Sequence, residues 1–327
     1  MGVKLLTEVK INRSTFDLTC QTPTMTIGSC FSDHIGGILS RYKFKILQNP
    51  FGVLYNPYSI AQAISLSLKK QKVTAEDLIF HNNLWHSFYF HSSFSNTDFE
   101  HVLENTNNAI RETRNFLQTA NYLFVTFGTA WAYRHITSGI VVSNCHKISA
   151  NEFERFRLTV DEITNAWELL IVELNRFNPN LKIIFTVSPI RHLKDGMHEN
   201  QLSKSVLFLS IDKLMINHEQ FGYFPSYEIV HDELRDYRFY ADDMVHVSEK
   251  AIKYLFEKFK TAYFNNATIE YINDINTINQ ATEHRLLNDN VKETQKFAQT
   301  MLKKINMFEV KYPFINFRLE KNHFENL

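Results

Sequence analysis

Thr24-Met25-Thr26-Ile27-Gly28-Ser29-Cys30-Phe31-Ser32 is the stretch on which the reading of this chain turns. Its first five residues have the apolar character and length of a buried strand, and they stop at a glycine. An amphipathic stretch follows over roughly 32–43, with Ile35, Ile38, Leu39 and Tyr42 on one face. Strand, glycine and helix in that order are the opening of a β-α unit. Two further apolar runs repeat the pattern. Tyr122–Phe127 is closed by Gly128, and Leu181–Val187 is closed by Ser188-Pro189. A fourth, shorter strand is expected at Tyr227-Glu228-Ile229-Val230. Helices are expected over 58–69, 97–118, 159–177 and 199–216, and from Ser248, as N-cap, to about 264. Strands alternating with helices predict a three-layer α/β/α domain around a parallel sheet. Hairpins are expected at 78–94 and 131–143, and an ordered turn at 48–57.

Beyond about 265 the strand signal ends. Residues 265–327 read as a helical extension to a 1–264 domain, with Phe297, Met301, Ile305 and Phe308 on one stripe. That stripe is expected to dock on the main domain or on a second copy of the chain.

Composition narrows the function. The chain has 327 residues, 44% hydrophobic and 21% charged, as a folded protein does. Lys+Arg and Asp+Glu are both 35, so no basic excess favours nucleic acid. No apolar run approaches the roughly 18–20 residues of a membrane span. The N-terminal residues lack an apolar signal-peptide core. Three cysteines, Cys20, Cys30 and Cys145, form an odd set with no zinc spacing. Free thiols and a cytoplasmic location are therefore expected. Glycine is scarce, at 9 residues, and no dinucleotide or P-loop glycine pattern occurs. No metal and no organic cofactor is expected.

In open α/β sheets ligands bind beyond the carboxyl ends of the strands. The residues that follow the strands are therefore the candidates: Gly28-Ser29-Cys30, Gly128-Thr129-Ala130-Trp131, and Ser188-Pro189-Ile190-Arg191-His192. Asp242-Asp243-Met244-Val245-His246 precedes the last helix of the domain.

Ile27-Gly28-Ser29-Cys30-Phe31-Ser32 resembles the signature of the GSCFA family, with Ser32 where the family name has Ala. Asn49-Pro50-Phe51-Gly52, Phe127–Trp131, Ser188–His192 and Asp243-x-x-His246 extend the resemblance over roughly residues 20–264. The family is similar to the SGNH (GDSL-type) hydrolases, and that likeness implies roles. Cys30 falls at the nucleophile position, with Ser29 one residue earlier as the alternative. His246 would be the general base, oriented by Asp243, with Asp242 as competitor. Gly52 and Gly128 match the glycines of the oxyanion blocks. The third block has Ala130 where those hydrolases carry an oxyanion Asn; Thr129, Arg191 or His192 would have to replace that donor. Arg191 and His192 are also candidate substrate anchors.

Each residue has a plainer reading as well. Cys30 could pack as a small hydrophobe, Gly52 could serve a turn, and Asp243 could cap a helix. His81, His86 and His91 recur every five residues; on a strand the outer two would lie about 33 Å apart, which is poor metal geometry. Trp85, Phe88 and Tyr89 offer an aromatic rim for a sugar or acyl group. Cys145-His146-Lys147 reads as structural, and Asp232–Arg238 as a solvated helix face. The resemblance thus implies an esterase-type hydrolase or acyltransferase using an acyl-enzyme on a small-molecule or carbohydrate acyl substrate. The alternative is a non-catalytic module of the same fold that binds a carbohydrate or a protein partner.

Overall fold

The structure, a computed structural model, describes residues 7–15, 17–218, 220–283 and 291–327. The chain opens with β1 (Thr24–Gly28), α1 (Cys30–Arg41), β2 (Ile46–Gln48) and α2 (Pro57–Leu68). A hairpin of β3 (Leu78–His81) and β4 (Leu84–Ser87) leads to α3 (Phe99–Leu117) and β5 (Tyr122–Phe127). Then come β6 (Trp131–His135), β7 (Val141–Val142), β8 (Phe153–Arg157), α4 (Val160–Phe177) and β9 (Lys182–Val187). The domain closes with α5 (Gly196–Asn217), β10 (Gly222–Tyr223), the short α6 (Ser226–Glu228) and α7 (Glu249–Tyr263). Helices α8 (Asn266–Glu283), α9 (Val291–Lys311) and α10 (Arg318–Glu325) form the extension.

The central sheet has the order β10-β9-β5-β1-β2, with every pairing parallel. Side chains alternate across it. Leu123, Val125 and Phe127 point into a core with Ile60, Trp167, Ile171 and Leu207 of the helices on that face. Tyr122 and Phe124 point into a second core with Ile35, Leu39, Leu255 and Phe259. This is the three-layer α/β/α arrangement expected from the sequence. Strand β1 pairs with β2 on one side and β5 on the other, so chain order reverses there. The crevice beyond the ends of β1 and β5 is the place where such a fold binds ligands.

The extension is helical, and its apolar stripe is covered by the chain itself. Met301, Ile305 and Phe308 are buried in the same core as Phe44, Phe256 and Phe264. Tyr271 donates its hydroxyl to Tyr42 O at 2.8 Å, and Asn279 Nδ2 donates to Arg41 O at 3.0 Å. The stripe docks on the main domain.

Several expectations need correction. The fourth strand is Gly222–Tyr223, not 227–230. Phe224 N–H makes a last bond to Phe185 O, then Pro225 has no N–H to continue the ladder. Ser226 turns inward, donating to Val187 O at 2.8 Å, and 226–233 coil into helical turns with Ile229 and Val230 buried. A short buried apolar run does not distinguish strand from helix by periodicity. The Asp232–Arg238 run is not one helix face: Asp232 and Glu233 end one helical turn, and Asp236 caps a second by accepting the Arg238 N–H at 2.9 Å. The first hairpin is confined to 78–87, whereas the second pairs as expected and gains β8 as a third strand.

Candidate active site

A cavity of about 470 Å³ opens at the carboxyl ends of the central strands. Ser29, Cys30, Tyr55, Thr129, Arg191, His192 and His246 all line it. Residues far apart in sequence therefore meet at one place.

The Cys30 side is built into the interior. Gly28 has φ +135°, and a Cβ there would lie 2.2 Å from Thr126 O, so only glycine fits between β1 and β5. Gly28 N–H donates to Asn49 Oδ1 at 2.9 Å, and Leu54 N–H donates to Gly28 O at 2.9 Å. Asn49 Nδ2 donates to Asp33 Oδ1 at 2.6 Å, which ties the 48–52 turn to the first turn of α1. Ser29 is the N-cap of α1, and Cys30 is its first helical residue. The N–H at that position has no intrahelical partner and points along the positive end of the helix dipole. Ser29 Oγ is buried without a hydrogen-bond partner.

Among the described residues, Cys30 Sγ has a single hydrogen-bond partner, Tyr55 Oη at 3.8 Å. His246, the general base implied by the resemblance, does not hydrogen-bond to the thiol. Tyr55 was not singled out from the sequence; its position before Asn56, the cap of α2, is the only local signal. Tyr55 O accepts from both Gly128 N–H (2.8 Å) and Thr129 N–H (3.0 Å), which fixes the residue across the end of β5. Burial, then the neighbouring Cys30, push its phenol well above the ordinary range, so the hydroxyl stays protonated.

The opposite wall is an exposed turn. Asp243 Oδ1 accepts the N–H groups of Val245 (3.0 Å) and His246 (2.9 Å). Asp243 Oδ2 lies 2.5 Å from His246 Nδ1. The histidine bond and then the two backbone donors hold the Asp243 carboxyl down at about 2. A carboxylate at Nδ1 keeps the proton there and leaves Nε2 as an acceptor toward the cavity. Asp243, and not Asp242, pairs with the imidazole. The two side chains remain about half exposed.

The expected oxyanion residues fare differently. Gly52 lies off the cavity; its N–H donates to Asn49 O at 2.7 Å, and a Cβ would strike His91. Gly128 N–H is likewise taken, by Tyr55 O. Both glycines serve close packing, so neither N–H is free for an oxyanion. Ala130 is fully buried, with its N–H on Ser203 Oγ at 2.8 Å, which places the missing Asn position inside the core. Thr129 lines the cavity, but its hydroxyl is engaged by Ser203 Oγ at 3.0 Å. Burial, then Lys204, lower His192 to about 4, so it stands in the wall as a neutral imidazole, edge-on to Tyr55.

The anticipated aromatic rim lies elsewhere. Trp85 packs between Phe80 and Phe99, Phe88 packs on Phe153, and Tyr89 lines a separate groove with Tyr58. Trp131 and Tyr133 of β6 take that place at the cavity. Cys145 lines the cavity too, with burial raising its thiol to about 11, whereas His146 stacks on His86 in the interior. Among the described residues no three His, Cys, Asp or Glu side chains form a metal-binding group, and no helix is long and apolar enough to cross a membrane.

The molecule is thus an α/β fold whose strand-end cavity is lined by Cys30 and by His246, the latter bonded to Asp243. The model of the GSCFA family matches residues 23–259, and that of the GSCFA domain protein C-terminal domain matches residues 275–327. The chain belongs to the GSCFA family. No curated protein matches it. Among solved structures it is similar to an acetyl xylan esterase (Est2A) from the rumen bacterium Butyrivibrio proteoclasticus. That likeness has 12% identity and a TM-score of 0.29, and covers 76% of this chain and 67% of the esterase.

Proposed function

We propose that this protein is an SGNH-like acyl-transfer enzyme, a hydrolase or acyltransferase, with Cys30 as nucleophile. The observation that supports the reading is that Cys30 and His246 both line one cavity, with Asp243 bonded to the imidazole. His246 Nε2 takes the thiol proton, and the thiolate attacks the carbonyl of an ester or thioester. The Cys30 N–H at the helix start and the Tyr55 hydroxyl are the donors nearest the developing oxyanion, in place of the Asn that Ala130 replaces. The leaving group departs with the proton from His246. Water or another hydroxyl then attacks the Cys30 thioester, with His246 again as base, and regenerates the thiol. Asp243 stabilises the imidazolium formed in each half-reaction.

A thiol-reactive acyl probe, followed by intact-mass and peptide mapping, tests the reading. One acyl group on Cys30, lost in Cys30→Ala, is the expected result. Modification of Ser29 instead would move the nucleophile by one residue. No adduct at either position would favour the second reading, a non-catalytic module that binds a carbohydrate or a protein partner. That reading draws its support from the absent thiol–imidazole bond and from Ala130.

A further inference from the structure

The chain is neutral overall, but the wall of the cavity is not. Arg155, Arg191 and Lys194 line it, and Asp195 is the only carboxylate among the described lining residues. Asp195 is already paired, 2.5 Å from Arg155 Nη2. Arg155 is fixed further by Tyr133 Oη at 2.9 Å and by the Trp131 ring at 4.0 Å, so this cation is structural. Lys194 Nζ donates to Tyr133 Oη at 3.2 Å and has no carboxylate partner among the described residues.

Arg191 is the informative residue. Among the described residues no carboxylate lies within ion-pair distance of its guanidinium, although its Nε is buried and without a hydrogen-bond partner. Its neighbour is the Tyr227 hydroxyl, a neutral group. A half-buried guanidinium without a counter-ion is costly, since its desolvation is not offset by an opposite charge. Burial lowers Lys204 and His231, and the Arg191 charge adds to the lowering of both. Trp131 Nε1 and Ser143 Oγ, from two other lining residues, are also buried without partners. The cavity wall carries two cations, Arg191 and Lys194, without a carboxylate partner among the described residues.

We infer that the cavity takes a substrate bearing an anionic oxyacid group, a carboxylate or a phosphate, paired with the Arg191 guanidinium and neighboured by Lys194. The planar fork of Arg191 matches either anion with two parallel hydrogen bonds. The inference rests on the acyl-transfer reading only for which end of the substrate reacts; the anion site itself stands on the charge of the wall.

Alkylation of the full chain by iodoacetate and by iodoacetamide tests it, with adducts mapped to Cys30 and Cys145 replaced by serine. The two reagents differ in charge and hardly in size. The iodoacetate-to-iodoacetamide rate ratio at Cys30 is expected to exceed that of free cysteine by about tenfold, the effect of one charge-assisted contact. Arg191→Gln should bring the ratio back to that of free cysteine, and Arg191→Lys should keep part of it. Succinate and inorganic phosphate as protecting ions separate carboxylate from phosphate: the true class protects at the lower concentration. A ratio equal to that of free cysteine, unchanged by Arg191→Gln, overturns the inference. If Cys30 resists both reagents, calorimetric titration with the same two ions decides: binding lost in Arg191→Gln supports the site, and no binding of either ion overturns it. An acyl adduct on Cys30 without iodoacetate preference leaves the acyl-transfer reading and removes the anion site; the preference without any acyl adduct does the reverse.

Discussion

The two sides of the cavity are built to different standards. Cys30 stands on an elbow held by Asn49, Leu54, Thr126 and the end of β5, all interior contacts. Asp243 and His246 stand on an exposed turn whose internal bonds are chiefly local: Asp243 grips the next residues of its own turn, and Ala241 N–H reaches His246 O at 2.8 Å. The position of Cys30 is therefore set by the core, and that of His246 by a few solvent-facing hydrogen bonds. On the proposed acyl-transfer reading, the thiol that hydrogen-bonds to Tyr55 here would have to meet the imidazole when substrate binds.

The strongest way to break this comparison is to substitute one residue on each side. His246→Ala should lower turnover of an acyl substrate by about 10²–10⁴-fold, the usual worth of a general base. Its stability should change by no more than about 0.5 kcal/mol, as for an exposed residue. Gly28→Ala should do the opposite, destabilising by roughly 3 kcal/mol or more, because its Cβ meets backbone that cannot retreat. Chemical denaturation and steady-state kinetics on both variants read the contrast. A stable Gly28→Ala protein, or an unfolded His246→Ala one, would undo the division.

Asp243→Asn sharpens the exposed side. A loss of about 10–100-fold in kcat is expected, smaller than for a buried orienting carboxylate because water screens the pair. Tyr55→Phe sharpens the buried side. Removing that hydroxyl should cost about tenfold in kcat with KM little changed, if it donates to charge that develops in the transition state. An unchanged kcat would make Tyr55 a packing residue only.

A further effect is thermodynamic and belongs to the interior alone. Burial lowers His146, His192 and His231 to about 4 each. Their unfolded value lies near 6.5. Between those limits the unfolded chain holds more protons than the folded one, so stability falls as pH drops from about 6.5 to about 4. Each histidine contributes up to about 1.4 kcal/mol per pH unit in that window. Urea denaturation at pH 7, 6 and 5 measures the slope, and His192→Asn should reduce it. A stability that is flat across this range would show that these imidazoles are not held neutral.

Much of this was legible in the linear sequence, for a local reason. Apolar runs closed by Gly28, Gly128 and Ser188 mark strands whose side chains are buried on both faces, and periodicity marks the helices between them. Asp243 and His246 are three residues apart, so their pairing is a property of one turn. The strand at 222–223, the roles of Gly52 and Gly128 and the contact of Tyr55 with Cys30 were not legible. Each depends on a partner remote in sequence: Phe185 O for the last ladder bond, Tyr55 O for the Gly128 N–H, and the β1–α1 elbow for the Tyr55 hydroxyl. Sequence determines which groups can donate, accept or bend the backbone; only the packed sheet decides which of them are already taken. Gly52 and Gly128 look alike in sequence to free oxyanion donors, yet their N–H groups are spent on the frame. Arg191 is marked by its place after a strand, but only the fold shows that it reaches the cavity with no carboxylate within ion-pair distance among the described residues.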